Sequence, residues 1–240
     1  MSPSKEVKVD KLSVFLPAYN EEENIASTIK NVTDTLKELS LKDYEVIVIN
    51  DASKDSTADV VKDLQKKDSH IKLVSHSENK GYGGALKTGF EEAIFPWVAF
   101  TDSDGQFDFK EISKFIDKAD SADLVLGYRL NRADPFIRKV LTFGWKTVAR
   151  VLLGLKARDY SCGFKMIKKQ VYLDVLPLVS EEKVTQIEFL VKAQKKGFKF
   201  AEVGVHHYPR QFGQPTGGSI FSKVFIKSFI DLFKLWRIIQ

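Results

Sequence analysis

Two aspartates separated by one residue follow a short apolar run in the middle of the chain. The run, Trp97 to Phe100, predicts a strand buried on both faces, and Asp102 and Asp104 stand just after it. Because side chains alternate along a strand, the two carboxylates begin by pointing the same way. Mg²⁺ or Mn²⁺ suits such a pair and completes its shell with phosphate oxygens and water. The pair therefore indicates a divalent-metal site, with a plain turn as the alternative.

The elements that must position these carboxylates alternate between strand and helix. Strands are predicted at residues 12–16 (ending at Pro17), 44–49, 71–75, 97–100, 122–126 and 198–208. Helices are predicted from Asn20 onward, at 57–65, from the glycine-rich turn Gly81 to Gly84 as far as about Ile94, and at 136–155 and 185–196. This order predicts an α/β fold with a mostly parallel sheet and helices on both faces. Ligands bind beyond the strand C-termini of such sheets, where the chain carries Pro17 to Glu21, Asp51, Gly81 to Gly84 and Asp102 to Asp104.

Local signals add detail to three of these elements. Residues 21–23, all glutamates, are expected in the first turn of the first helix, where the helix dipole favours acids. Ser56 is the expected cap of helix 57–65. His206 and His207 are expected on the last strand, where adjacent residues face opposite ways and cannot bind one metal together. A structural role is therefore favoured for both histidines.

The glycine-rich loop from Gly81 to Gly84 is close to two phosphate-binding motifs but matches neither. Gly81-x-Gly83 lacks the last glycine of the dinucleotide motif, and Lys87-Thr88 lacks the glycine that precedes the lysine of a P-loop. Small residues at a helix N-terminus suit close packing or the close approach of a ligand. Packing is the favoured interpretation.

Length and composition predict one sizeable core. The chain has 240 residues, of which 43% are hydrophobic and 29% charged, and a formal net charge of +5, which fits an anionic partner. Paired carboxylates in the cleft oppose a phosphate backbone, so a nucleic-acid partner is not expected. The single cysteine, Cys162, favours a reducing compartment. We expect a catalytic domain over residues 1–218, a C-terminal amphipathic helix over 219–240, and no segment that spans a membrane.

Eight short segments, in their order and spacing, resemble the family 2 glycosyltransferases of GT-A fold. The resemblance covers about residues 11 to 220 and is strongest to the polyprenyl-phosphate branch typified by dolichyl-phosphate mannose synthase. The segments are PAYNEEENI, VINDASKDST, NKGYGGALKTG, FTDSDGQF, LGYR, PFIRKV, DYSCGFK and YPRQFG. The resemblance implies a GT-A (Rossmann-like) catalytic domain.

The same resemblance implies roles for individual residues. The nucleotide sugar would contact Pro17, Tyr19, Glu21, Asp51, Asp102 and Gln106. The metal, Mg²⁺ or Mn²⁺, would be held by Asp102, Asp104 and Gln106. The acceptor phosphate would contact Arg129, Arg138, Thr142 and Arg210. The residues expected to carry catalysis are Asp104, Asp102 and Arg129.

The reaction implied is a metal-dependent, inverting transfer of a hexose from a nucleoside diphosphate sugar to dolichyl or polyprenyl phosphate. Mannose from GDP-mannose is favoured, with glucose from UDP-glucose next. The alternatives are a transferase acting on a soluble glycan, protein or polyol, and a nucleotide-sugar or nucleic-acid binding module without turnover. A hydroxyl acceptor would need a base, for which Glu188 is a secondary candidate; an exposed acid on an amphipathic helix is the equal alternative for it.

Two residues near the expected site depart from the family pattern. Asn50 replaces a frequent aspartate, and Lys165 replaces a frequent arginine, so a two-pronged contact at Lys165 is not expected.

The segment over residues 211–218 is long and glycine-rich enough to form a lid over the cleft. We expect the C-terminal helix to dock on the cytoplasmic face of a membrane, with the helix at 136–155, of the same character, as a candidate to lie beside it. The docking face would consist of Phe221, Val224, Phe225, Phe229, Phe233 and Trp236. Packing of these helices on the sheet, or a dimer contact, is the alternative.

Overall fold

The structure, a computed structural model, describes residues 9–130, 147, 150–180, 182, 184–213 and 231–237. Its centre is a seven-stranded sheet. In chain order the strands are β1 (Lys11–Ala18), β2 (Asp43–Asn50), β3 (Ile71–Ser75), β4 (Trp97–Phe100), β5 (Leu124–Arg129), β6 (Lys165–Lys168) and β7 (Phe200–Val205). Across the sheet they lie in the order β3-β2-β1-β4-β6-β5-β7.

Helices cover both faces of this sheet, as the alternation of elements predicts. They are α1 (Ile25–Glu38), α2 (Thr57–Gln65), α3 (Gly81–Glu92), α4 (Ile112–Ile116), α5 (Lys169–Asp174) and α6 (Val184–Lys195). Successive residues of β1 serve opposite faces: Phe15 packs in the core cluster with α3, α5 and α6, whereas Val14 and Leu16 pack in the cluster with α1, α2 and α4. Both faces of the central strands are therefore buried.

The sheet is mostly parallel, and the exception is β6, which the sequence did not reveal. β6 lies between β4 and β5 and pairs antiparallel with both. Its sequence, KMIK, has a lysine at each end, yet Lys165 is only 1% exposed. A lysine is seldom buried so completely, so the hydrophobic pattern gave no indication of a central strand.

Three of the boundaries that differ from the sequence predictions involve residues singled out in the sequence. Pro17 lies within β1 and does not end it, because its nitrogen faces the side where β4 has already stopped at Phe100 and no ladder bond is required. The first helix begins at Ile25, so residues 21–23 precede it. His206 and His207 follow β7 and are not part of the strand.

The glycines of α3 serve packing, which confirms the favoured interpretation of that loop. A Cβ at Gly89 would lie 2.4 Å from the ring of Phe15, and one at Gly83 would lie 2.2 Å from Thr185 Oγ1. Both distances are far below van der Waals contact, so a side chain at either position would push α3 away from its neighbours. Small residues therefore set how closely α3 approaches β1 and α6.

The described part of the C-terminal segment, residues 231–237, is helical and packs against the body of the protein. Leu232 and Leu235 are each 1% exposed within the cluster that contains α3 and α6, whereas Phe233 is 48% exposed. Packing, the alternative to membrane docking, therefore holds for Leu232 and Leu235. Phe221, Val224, Phe225 and Phe229 lie outside the described residues. Among the described residues, no helix is long and apolar enough to cross a bilayer.

Candidate active site

The ends of β1, β2 and β4 bring acidic residues to one edge of the sheet. Ala18 is level with Asn50 in the register of β1 and β2, and Phe15 is level with Phe100 in that of β1 and β4. The loop after β4 is fixed by Ser103, whose Oγ donates to the carbonyl of Pro17 at 2.6 Å. The sequence prediction that these loops converge is confirmed for the loops after β1 and β4.

Asp102 is held from two sides by residues that are distant in sequence. Tyr82 Oη donates to Asp102 Oδ1 at 3.2 Å, and burial together with the charge of Asp102 raises the pKa of Tyr82 well above its ordinary value. On the other side, a Cβ at Gly163 would lie 2.1 Å from Asp102 Oδ2. The backbone at Gly163 therefore leaves room for the carboxylate only because the residue has no side chain.

Asp104 is largely enclosed, with its side chain 16% exposed, and has few compensating contacts. Its Oδ1 accepts from the backbone N–H of Gln106 at 3.1 Å, and its Oδ2 lies 3.6 Å from Arg210 Nη1. Burial, and next the charge of Asp102, raises the pKa of Asp104 to about 7. A sheltered carboxylate whose pKa is raised beside a second carboxylate is arranged to accept a cation.

The pair fits a divalent cation that takes few protein ligands. Among the described residues, no group of three or more histidine, cysteine or acidic side chains could hold a metal ion. A dedicated protein cage for a metal is therefore not part of the described structure. Two carboxylates plus oxygens from a phosphate-bearing ligand are the usual arrangement for Mg²⁺, so Asp102 and Asp104 match that donor set.

Arg210 links the same edge to the loop after β1. Its Nη2 donates to Glu21 Oε2 at 2.6 Å, and its Nε donates to the carbonyl of Phe212 at 2.6 Å. Glu21 also accepts from Asn24 Nδ2 at 2.9 Å. Arg210, predicted to contact an acceptor phosphate, thus lies between two acids predicted to contact the donor and metal, Glu21 and Asp104.

Arg129, at the end of β5, is held by a carboxylate that the sequence analysis did not assign. Its Nε and Nη2 donate to the two carboxylate oxygens of Asp159 at 2.8 and 3.0 Å, and its Nη2 donates to Ser161 Oγ at 2.9 Å. Burial by itself lowers the pKa of Arg129, but the hydrogen bonds and charge of Asp159 raise it above the ordinary value. Arg129 therefore keeps its charge in the buried site. Asp159 and Ser161 belong to the segment DYSCGFK, and this segment was the signal in the sequence that could have identified them as site residues.

Asp51, after β2, is enclosed by a residue that the sequence analysis missed. His76 Nδ1 lies 2.6 Å from Asp51 Oδ1, and the two side chains are 4% and 5% exposed. His76 follows β3 directly, so its place at the same sheet edge could have been inferred from the topology.

The other predicted site residues are placed as follows. Tyr19 is half-buried just after β1. Gln106 uses its Nε2 to donate to the carbonyl of Tyr208 at 2.9 Å, which ties the loop after β4 to the segment that carries Arg210. Arg138 and Thr142 lie outside the described residues, so their roles stay predictions.

The interpretation of Glu188 as an exposed acid is wrong for this structure, and its burial does not fit a base that faces the cleft. Its side chain is 0% exposed, and it accepts from the backbone N–H groups of Val179 and Ser180 at 3.0 and 2.6 Å. Lys192 Nζ lies 2.6 Å from it. Although burial alone raises the pKa of Glu188, these donors lower it below the ordinary value. Glu188 is neither an exposed acid nor a base facing the cleft, and its role is to fix the loop before α6.

Lys165 supports the segment that borders Asp102. Its Nζ donates to the carbonyl of Cys162 and to Gln186 Oε1, and it lies 5.4 Å from the centre of the Phe100 ring. Burial lowers the pKa of Lys165 to about 8. The lysine anchors the turn that contains Gly163.

Comparisons with known proteins agree with the fold. The profile of the family described as Glycosyl transferase family 2 matches residues 13–176. The dolichyl-phosphate beta-glucosyltransferase of Dictyostelium discoideum is 33% identical over 214 residues, covering 81% of this chain and 65% of that protein. The undecaprenyl-phosphate 4-deoxy-4-formamido-L-arabinose transferase of Enterobacter sp. (strain 638) is 31% identical over 208 residues, covering 86% of this chain and 62% of that protein. The chain thus spans less than two thirds of these curated relatives.

Solved structures share the architecture at low sequence identity. Glucosyl-3-phosphoglycerate synthase from Mycobacterium tuberculosis, in complex with uridine diphosphate, has a TM-score of 0.71 at 19% identity, covering 95% of this chain and 80% of that chain. The same protein in complex with Mn²⁺ and UDP-glucose has a TM-score of 0.66 at 20% identity, covering 86% and 73%. These likenesses confirm the predicted GT-A fold.

Proposed function

Taking as a premise that this chain belongs to glycosyl transferase family 2, we propose that it transfers a hexose from a nucleoside diphosphate sugar to a polyprenyl phosphate. The observation that carries the proposal is the carboxylate pair at the end of β4. Asp102 and Asp104 lie at the carboxyl edge of a mostly parallel sheet, where ligands of such folds bind. The raised pKa of Asp104 marks a place that favours a cation.

Glucose from UDP-glucose is the donor we propose, ahead of mannose from GDP-mannose. The resemblance in sequence favoured mannose. The Dictyostelium relative is named as a glucosyltransferase, and the mycobacterial protein of the same fold was crystallised with UDP and with UDP-glucose. These names support glucose and uridine for the assay described below.

Asp102 and Asp104 are the residues that would hold Mg²⁺ or Mn²⁺. When bound, the ion would offset the charge that builds on the departing diphosphate. The protein's own contribution is to fix the two carboxylates. Tyr82 and the bare backbone at Gly163 orient Asp102, and the N–H of Gln106 orients Asp104. Charge placed in advance of the reaction needs no rearrangement as the bond breaks.

The acceptor phosphate would be bound by Arg129 and Arg210. Both guanidinium groups are already oriented, by Asp159 and by Glu21, so the side chains lose little freedom when a phosphate arrives. A phosphate monoester is ionised at neutral pH and attacks without first losing a proton. A strong general base is therefore not required, which agrees with the enclosed position of Glu188.

The test is a glycolipid assay. The purified protein is incubated with Mg²⁺ or Mn²⁺, a short polyprenyl phosphate and a panel of nucleotide sugars, and the lipid product is identified by mass spectrometry. We expect a hexosyl phosphate lipid from UDP-glucose. Transfer to a soluble glycan or polyol but not to the lipid would favour the alternative transferase. Binding of UDP-glucose without any product would favour a module without turnover.

Docking on a membrane surface is a further part of this proposal, since the acceptor's chain lies in lipid. Its support within the described residues is Phe233, which is 48% exposed beside Trp236 on the C-terminal helix. An exposed aromatic residue bordered by Lys234 and Arg237 suits an interface between water and lipid. In flotation with anionic liposomes, the full chain should float more than a chain truncated after Gly218. Equal flotation of the two would reject the docking role of this helix.

A further inference from the structure

We propose that His76 is a positioning residue of the nucleotide site, which orients Asp51 so that it selects a nucleobase with a single N–H donor, as in uracil. The inference rests on the proposed function, in which Asp51 contacts the nucleotide. It goes beyond that function by assigning a role to a histidine outside the motifs that carry the family resemblance. The geometry that carries it is a chain of three side chains, Thr88, His76 and Asp51.

The hydrogen bonds determine which imidazole nitrogen carries the proton. Asp51 Oδ1, 2.6 Å from His76 Nδ1, accepts a hydrogen bond, so Nδ1 is the donor. His76 Nε2 lies 2.9 Å from Thr88 Oγ1 on α3, and in the neutral ring it accepts from that hydroxyl. The carboxylate of Asp51 therefore fixes the tautomer of His76, and Thr88 holds the other side of the ring in place, so that His76 in turn orients the carboxylate. A second group that orients a functional side chain in this way is common in designed and natural sites.

The backbone around Asp51 leaves it little freedom. The N–H of His76 donates to the carbonyl of Asn50 at 2.9 Å, which extends the pairing of β2 and β3 by one residue. The N–H of Lys80 donates to Asp51 Oδ1 at 2.8 Å, and Asn79 Nδ2 donates to the carbonyl of Asp51 at 3.1 Å. The loop between β3 and α3 thus wraps the aspartate, and Oδ1 receives two hydrogen bonds.

The two hydrogen bonds to Oδ1 determine which oxygen of Asp51 can still accept a hydrogen bond from a ligand. A carboxylate oxygen has about two lone-pair positions, and those of Oδ1 are taken by His76 and Lys80. Oδ2 is the oxygen that remains for a nucleobase. Guanine presents two adjacent N–H groups, which match both oxygens of a carboxylate, whereas uracil presents one ring N–H. The arrangement therefore favours uridine over guanosine nucleotides.

Three variants separate this role from simple packing. His76→Ala removes both hydrogen bonds. In His76→Asn, the amide nitrogen takes the place of Nδ1 and can still donate to Asp51, but the side chain is too short to reach Thr88. Thr88→Val keeps the shape of the threonine and removes only the hydroxyl that hydrogen-bonds to His76 Nε2. Binding of UDP and of GDP to each full-length protein, with Mg²⁺ present, is measured by calorimetry.

We expect wild-type protein to bind UDP more tightly than GDP. His76→Ala should weaken UDP binding by about tenfold, the effect of one buried hydrogen bond to a charged group, and should narrow the preference over GDP. His76→Asn should recover most of the affinity, and Thr88→Val should lose a smaller part. In turnover, the KM for the donor should rise with kcat nearly unchanged, because the base is bound equally in the ground and transition states.

Several results would overturn the inference. Undiminished UDP binding in His76→Ala would show that the histidine does not position Asp51. An equal loss of UDP and GDP affinity, together with a lower melting temperature in all three variants, would show a structural role only. A wild-type preference for GDP would refute the base selection. If the wild type bound neither nucleotide, the proposed function itself would fall, and this inference with it.

Discussion

Two acids with little exposure, Asp104 and Glu188, have opposite surroundings. Glu188 accepts hydrogen bonds from two backbone N–H groups and pairs with Lys192, and these donors lower its pKa. Asp104 accepts one backbone hydrogen bond, faces Arg210 at 3.6 Å, and stands beside Asp102, so its pKa rises to about 7. The first carboxylate is satisfied by the protein, and the second is not.

The difference separates an acid that supports the fold from one that is ready for a ligand. A buried charge whose hydrogen bonds are complete stabilises the loops that supply them. A buried charge that lacks donors costs stability, and such costs accumulate where a protein must bind a cation or substrate. Burial alone does not distinguish the two cases, because both side chains are enclosed. The hydrogen-bond donors around each carboxylate oxygen distinguish them.

The largest effect is expected from Asp104→Asn. The change removes charge from the proposed metal site and should lower the rate of hexose transfer by roughly a hundredfold or more. The melting temperature without metal should stay the same or rise, because the repulsion with Asp102 is relieved. Initial rates and thermal unfolding measure the two quantities. Wild-type activity in the variant, or wild-type activity that survives excess EDTA, would contradict the metal role.

Glu188→Gln should lower stability and leave activity nearly unchanged, which is the reverse of the effect expected for Asp104→Asn. The amide presents an NH₂ group to backbone donors and leaves Lys192 without its charge partner, so the free energy of unfolding should fall by about 2 kcal/mol. Activity per folded molecule should change little. Urea denaturation gives the stability, with Asp59→Asn as the control, since Asp59 is 78% exposed and should lose less than about 0.5 kcal/mol. A stable but inactive Glu188→Gln protein would restore a catalytic role.

Gly163→Ala tests whether the space beside Asp102 matters. The new Cβ would lie 2.1 Å from Asp102 Oδ2, so the carboxylate must move, and the transfer rate should fall about tenfold. Gly197→Ala is the matched control, because Gly197 has φ of +81° and no neighbour within 4 Å of a new Cβ. The control should lose stability through backbone strain and keep its activity. Equal activities of the two variants would mean that the position of Asp102 is not critical.

The smallest effect is a dependence of stability on pH that comes from Lys165. Its pKa of about 8 in the folded protein is below the ordinary value of 10.5, so above pH 8 the unfolded chain holds more protons than the folded one. Stability from this group therefore rises with pH. Relative to Lys165→Met, the wild type should gain about 1 kcal/mol between pH 8 and pH 9 in urea unfolding. A constant difference between the two proteins across this range would show that the lysine does not titrate there.

Local patterns in the sequence were sufficient for the elements that depend on neighbouring residues. The bounds predicted for α2, β3 and β4 agree with the structure, and Asp102 and Asp104 stand where β4 delivers them. Contacts between distant residues could not be read in the same way. β6 was missed because its lysine is stabilised by Gln186 on α6, and Glu188 was misjudged because its donors come from residues 179 and 180.

The residues of the candidate site also fall into two groups, those that the sequence predicted and those that only the folded chain brings to the site. The sequence named the aspartates, but it did not name Tyr82, Gly163 or Asp159, whose relation to the site exists only in the folded chain. Arg210 was placed by resemblance with the acceptor, whereas its described contacts are with Glu21 and Asp104. The roles of the individual site residues therefore stay predictions until they are measured.

The most direct test of the contrast between the two acids is a titration with Mn²⁺ in the presence of UDP, followed by electron paramagnetic resonance. The account predicts one bound Mn²⁺ for each chain of the wild type and of Glu188→Gln, and loss of that site in Asp104→Asn. Mn²⁺ binding that is the same in Asp104→Asn as in the wild type would contradict it.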